Sequence, residues 1–168
     1  ITLALVSFTS SFAKVEGEYI VLGSAISLTG KYSSNGVHTQ NGYNLAVERI
    51  NKMGGVEVGG KKYKFEIIYY DDESNSGRAA QLAERLIKQD GVKYMLGPYS
   101  SGLTKAMAPV TEKYKIPMVE ANGASRSLFT KGYKYLFAVL APANLYLDVA
   151  IDLAVEKNGG KPVKIAQA

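Results

Sequence analysis

Cysteine is absent from these 168 residues, which removes disulfides, thiolate metal ligands and a cysteine nucleophile together. The single histidine, His38, does not supply an imidazole-based metal centre. Tryptophan is absent as well, so the aromatic content rests on twelve tyrosines and five phenylalanines. No basic stripe exists: 20 Lys and Arg stand against 15 Asp and Glu, and the densest group is only Lys61, Lys62 and Lys64. A nucleic-acid footprint needs a continuous basic face, so no nucleic-acid partner is expected. Low-complexity tracts and internal repeats are missing too. What is present is an ordinary globular composition, 46% hydrophobic and 21% charged, on a chain long enough to bury a core.

Both ends look cut. The chain does not begin with Met, and ITLALVSFTSSFA resembles the apolar core of a secretory signal followed by a small-x-small cleavage site at Ser11-Phe12-Ala13. Residues 1–13 are therefore expected to be a signal-peptide remnant, with the mature protein starting near Lys14. The alternative is a buried first strand or helix; thirteen residues are too few to span a bilayer. Without a cysteine at that boundary, a lipid-anchored form is not expected. VKIAQA (163–168) reads as a strand with nothing after it to pair with, so the chain is expected to be a truncated piece.

From Tyr19 two kinds of segment alternate. YIVLGSAI (19–26), KYKFEIIYYDD (62–72), VKYMLG (92–97), IPMVEA (116–121) and YKYLFAVL (133–140) are apolar and β-rich. Between them, helical spacing places Tyr43, Ala46, Val47, Ile50 and Met53 on one face, then Ala79, Leu82, Ala83, Leu86 and Ile87, then Leu103, Ala106, Met107, Val110 and Tyr114. Strands separated by helices of ten or more residues predict an α/β fold, a doubly wound parallel sheet with right-handed crossovers. The polar turns SLTGKYSSNG, DDESNSG, PYSSG and NGASRS all follow strands, at the sheet edge where such folds bind ligands. The opposite edge carries NKMGGVEVGGKK and TEKYKI, read as helix exits and glycine turns.

Two catalytic or nucleotide readings fail on spacing. GSAISLTGKY (23–32) approaches a phosphate loop but has Ala25 where glycine is needed and Tyr32 where a magnesium-binding hydroxyl is needed; no GxGxxG follows any strand. GPYSSG (97–102) places serines on a strand-to-helix turn, yet a nucleophile elbow needs glycine two residues before and two after. Ser100 has Pro98 and Gly102, and Ser101 has Tyr99 and Leu103. A serine hydrolase would also need a later histidine, so it stays as a rival reading tested by a serine-directed probe.

Binding without chemistry remains. Serine hydroxyls and the free N–H groups that open a helix form a site for a carboxylate or other anion; the plainer alternative is that Ser100 or Ser101 only caps the helix. NGAS (122–125) at the same edge offers a second set of donors. Tyr32, Tyr99 and Tyr146 fall near this edge, whereas Tyr69, Tyr94 and Tyr135 read as strand packing. Asp71 and Asp72 could bind a cation, but an acidic strand end is more often turn chemistry.

The ordered run SAISLTGKYSSNGVHTQNGYNLAVERINKMGGV, YYDDESNSGRAAQLAERLI, YMLGPYSSGLTKAMAPVTEKYKIPMVEANGAS and LFTKGYKYLFAVLAP resembles the type I periplasmic binding proteins that serve branched-chain amino acid ABC transporters, over about residues 17–158. The resemblance implies two lobes that close on a solute and deliver it to a membrane permease, with no catalysis and no cofactor. It implies an N-terminal lobe (14–141) that grips the ligand's α-carboxylate at Ser101, lined by Ser100 and Tyr99, and at Gly123, Ala124 and Ser125. Without a one-residue gap the second match slides to Asn122–Ala124. Asn35 stands where an aromatic is expected, and Tyr32 is the candidate substitute. Residues 142–168 would be the hinge, which starts at LAPAN (140–144), and the start of a second lobe whose remaining contacts lie elsewhere. A periplasmic location and a monomeric full-length protein follow from the same resemblance. A ligand-binding sensor domain of the same fold is its other use.

Overall fold

The computed structural model describes residues 15–164 except residue 17. The leader expectation over 1–13 and most of the closing strand therefore lie outside the described residues; Val163 and Lys164 are not in a strand. Seven strands and four helices are described: β1 (Val15–Glu16), β2 (Tyr19–Ile26), α1 (Ser33–Lys52), β3 (Val56–Val58), β4 (Lys61–Asp71), α2 (Ser76–Lys88), β5 (Met95–Leu96), α3 (Ser101–Tyr114), β6 (Met118–Glu120), β7 (Leu136–Ala138) and α4 (Asp148–Lys157). Short 3-10 turns occupy Arg126–Leu128 and Ala143–Leu145.

One sheet runs in the order β3-β4-β2-β5-β6-β7, with β1 pairing antiparallel to β2 outside that path. The pairs β2–β4, β2–β5, β5–β6 and β6–β7 are parallel, as the alternating pattern predicts. From β2 the chain crosses to β4 on one side and then returns past β2 to β5 on the other. Strand order thus reverses between β2 and β5, and the turns leaving those two strands flank the switch point where doubly wound sheets bind ligands. Right-handed crossovers put α1 on one face and α2 and α3 on the other.

The expected apolar stripe of α2 is wholly realised: Ala79, Leu82, Ala83, Leu86 and Ile87 are all buried. They join Val21, Ala25, Met95, Leu103, Met107 and Met118 in the main core, between the sheet and the α2–α3 layer. At the start of α2, Asn75 Oδ1 accepts the amide of Arg78 at 2.9 Å, satisfying one of the orphan donors of the first turn. Asn75→Ala is expected to cost about 1 kcal/mol, read as a lowered urea midpoint.

Two sequence readings need correction. The stripe assigned to α1 does not lie flat on the sheet: Ala46 is exposed and Met53 is 67% exposed, while the residues α1 buries are Gly36 and Thr39. Between the glycine pairs, VEV is an extra strand, not merely a helix exit. β3 pairs antiparallel with β4 through a two-residue turn, Gly59–Gly60, with φ of 60° and 79°, which matches the twist of the flanking strands and excludes a Cβ without strain.

Candidate functional site

At the carboxyl edge of β2 and β4 the two acids are structural. Asp71 Oδ1 accepts the amides of Leu28 (2.9 Å), Thr29 (3.2 Å) and Glu73 (2.9 Å), and its Oδ2 accepts the Thr29 hydroxyl at 2.7 Å. Partial burial pushes the Asp71 carboxyl up, but the Thr29 hydroxyl and these amides outweigh it and hold it below its ordinary value. Asp72 is fully buried; its Oδ1 accepts the Ser27 hydroxyl (2.6 Å) and the Ser74 amide (2.8 Å), while Oδ2 has no protein partner. Burial outweighs those two bonds and raises its pKa. Ser74 completes the weave by donating its hydroxyl to the Thr29 carbonyl (2.8 Å) and accepting the Tyr32 amide (3.0 Å). No group of three or more metal-ligating side chains occurs among the described residues. The acids at this edge do the turn work that the sequence favoured.

Through this weave Tyr32 is set at the start of α1, with its ring edge-on to Tyr99, centroids 5.6 Å apart and planes at 73°. The two rings come from the turns either side of the switch point. Past Tyr99 the chain enters α3. Ser100 is the N-cap, but its side chain makes no capping hydrogen bond, so the plainer reading of that serine is not realised. Ser101 Oγ instead accepts the amide of Ser125 at 3.1 Å, joining the two small polar turns. The orphan N–H groups of the first turn of α3 are thus not capped by the serine beside them, and a helix start of this kind carries partial positive charge.

The second turn is held from below. Glu120, the last residue of β6, accepts the amides of Asn122 (3.1 Å) and Gly123 at its Oε2. Gly123 is buried, and the Ala124 carbonyl accepts the amide of Ala143 at 2.8 Å, tying the turn to the chain at the expected hinge. Asn122 Nδ2 donates to Thr39 Oγ1 at 3.3 Å. Between α1 and these turns lies an open cavity of about 440 Å³, lined by Asn35, His38, Thr39, Tyr43, Tyr99 and Asn122 among others. Tyr43 donates its hydroxyl to the Gly97 carbonyl at 2.7 Å; burial, then the charge of Glu120, pushes its pKa well up.

The structure therefore gathers Tyr32, Asn35, Tyr99, Ser100, Ser101, Asn122, Gly123, Ala124 and Ser125 along one edge. Tyr146 is 52% exposed just past the Ala143–Leu145 turn, and among the described residues no side-chain hydrogen bond or ring pair joins it to this group. His38, Thr39, Tyr43 and Glu120 were not anticipated there. Glu120 had a legible signal, since it shares a strand face with apolar Met118 in MVE. The α1 residues had none, because their spacing reads as a plain helix.

Comparison with known proteins follows the same outline. The Leu/Ile/Val-binding protein homolog 8 of Brucella suis is 28% identical over 156 residues, 93% of this chain and 36% of that protein. The branched-chain amino acid transporter substrate binding protein LivJ of Streptococcus pneumoniae, solved with isoleucine, superposes with a TM-score of 0.66 at 27% identity, over 79% of this chain and 38% of that one. A solute binding protein of an ABC transporter from Rhodopseudomonas palustris, solved with 3,4-dihydroxy benzoic acid, gives 0.69 at 25% identity, over 83% and 37%. The chain thus spans well under half the length of the relatives it matches. All three are named as binding proteins, which favours the binding reading of the serine turn over the hydrolase one. A family model described as periplasmic binding protein matches residues 20–168, and the chain belongs to that family.

Proposed function

We propose that this chain is the N-terminal ligand-binding lobe, residues 14–141, of an exported solute-binding component of an ABC transporter. In this reading residues 1–13 are the remnant of its leader, and 142–168 are the hinge and the start of a second lobe. The ligand is a small carboxylate, an amino acid or an aromatic acid, released to a membrane permease from the periplasm. The observation that carries the reading is the uncapped start of α3, with Ser101 Oγ drawn to Ser125 of the neighbouring turn. A carboxylate seated there would take the Ser101 hydroxyl and the orphan amides of α3, and the helix dipole would favour its charge. The Tyr32–Tyr99 pair forms the apolar wall beside it, with polar groups of Asn35, His38 and Asn122 within reach of a substituent on the ligand. Closure of a second lobe would exclude water and strengthen each of these contacts.

The test is a thermal-shift screen of the full-length protein against amino acids, amides and hydroxybenzoates, followed by calorimetry. At least one free carboxylate should bind at about 1 µM or tighter, near −8 kcal/mol. Its decarboxylated amine or phenol counterpart should not. A panel in which amides or amines bind as well as acids would overturn the assignment of Ser101 to a carboxylate.

A further inference from the structure

Glu120 is an acid where strand alternation calls for an apolar residue. It shares a face of β6 with Met118, and both are 0% exposed. Its Oε2 receives two backbone amides, from Asn122 and Gly123; its Oε1 is buried without a partner. None of the ion pairs found among the described residues includes it. The main chain is shaped to admit the side chain: a Cβ at Gly97 would stand 2.6 Å from Glu120 Cβ, and one at Gly123 would stand 2.6 Å from Oε2 and 2.8 Å from Leu128 Cδ1. Two residues past Gly123, the Ser125 amide meets Ser101 Oγ. One short turn therefore grips the acid with its first half and the serine with its second.

We propose that Glu120 is a positioning residue of the ligand site: by holding the Asn122 and Gly123 amides it fixes the turn that brings Ser125 to Ser101 at the mouth of α3. This rests on the ligand reading above. Burial raises its pKa more than the two amides lower it, and a buried carboxylate with no cation beside it is strongly disfavoured. Of the elements packed round it, α1 brings Tyr43, whose own pKa is raised; the turn after β5 brings Gly97, and the Arg126–Leu128 turn brings Leu128 while Arg126 is exposed. β7 contains no ionisable residue.

Two replacements separate these roles in the full-length protein. Glu120→Gln keeps an acceptor for both amides and is neutral at every pH; Glu120→Met keeps the length and loses the acceptor. Calorimetry with L-isoleucine and with 4-hydroxybenzoate is combined with hydrogen exchange of the unliganded 121–125 segment. Glu120→Gln should hold affinity within about twofold, while Glu120→Met should lose about tenfold or more and exchange its Gly123 and Ser125 amides faster. Equal loss in the two variants or native exchange in Glu120→Met would each overturn the proposal. If neither probe binds the native protein, the ligand reading fails for those acids, and the exchange of Gly123 and Ser125 still decides the positioning role. Should Glu120→Met not fold by circular dichroism, Glu120→Asp, which shortens the reach to the amides, takes its place.

Discussion

Ser101→Ala in the full-length protein should weaken carboxylate binding by about 1–3 kcal/mol, roughly 5- to 150-fold in Kd, because a desolvated carboxylate oxygen is left without its hydroxyl partner. The substitution also frees the Ser125 amide, which now donates to Ser101 Oγ at 3.1 Å. That second loss loosens the turn as well, so the measured difference is an upper bound on the hydroxyl's own contact with ligand. Calorimetry supplies the comparison, and Ser100→Ala is the control: with no capping bond to lose, its effect should be smaller. Equal affinities for native and Ser101→Ala would remove Ser101 from the site.

Gly36→Ala should destabilise the fold by about 3 kcal/mol, the upper end of what an added methyl costs in a tight contact. Gly36 is buried in the first turn of α1, and a Cβ built there would overlap the carbonyl of Ser27. Neither atom can yield cheaply: one belongs to a helix, the other to the chain leaving β2, whose own side chain is bonded to Asp72. The helix would have to lift from the sheet edge and carry Tyr32 with it. On the same helix Gly42 has nothing within 4 Å of its missing Cβ, so Gly42→Ala should instead stabilise by up to about 1 kcal/mol through helix propensity. Urea midpoints with unchanged slope would register both shifts as stability alone; equal effects at the two glycines would refute the close approach at Gly36.

That contrast also explains where the chain was legible from its residues. α2 was transparent because it packs by large apolar side chains at helical spacing, and all five expected residues are buried. α1 was not, because it approaches the sheet through Gly36 and Thr39, which leave no hydrophobic period. The sole pairing of β5 with β2 is Gly23 with Met95, so the strand read over 92–97 shrinks to two residues. β3 escaped notice because three residues between glycine pairs look like a turn, and only its partner across Gly59–Gly60 makes it a strand.

The serine turn was legible in kind. Small residues after a strand and before an amphipathic helix mark a place for an anion, whether or not a family is in view. Which serine caps and which faces the neighbouring turn was not legible, since that depends on a contact across 24 positions of sequence. Glu120 was legible as an acid on the apolar face of β6, but its role was not, because Gly97, one of the two glycines that make room for it, lies in another segment.

The weave of Asp71, Asp72, Ser74 and Thr29 has a kinetic consequence. It locks the turns after β2 and β4 to each other, so Tyr32 is in place before any ligand arrives. The ordering entropy of that rim is then spent in folding, and little remains to be lost at capture. Ligands that differ only in how they meet the Tyr32–Tyr99 pair should therefore associate at similar rates and be told apart by how long they stay.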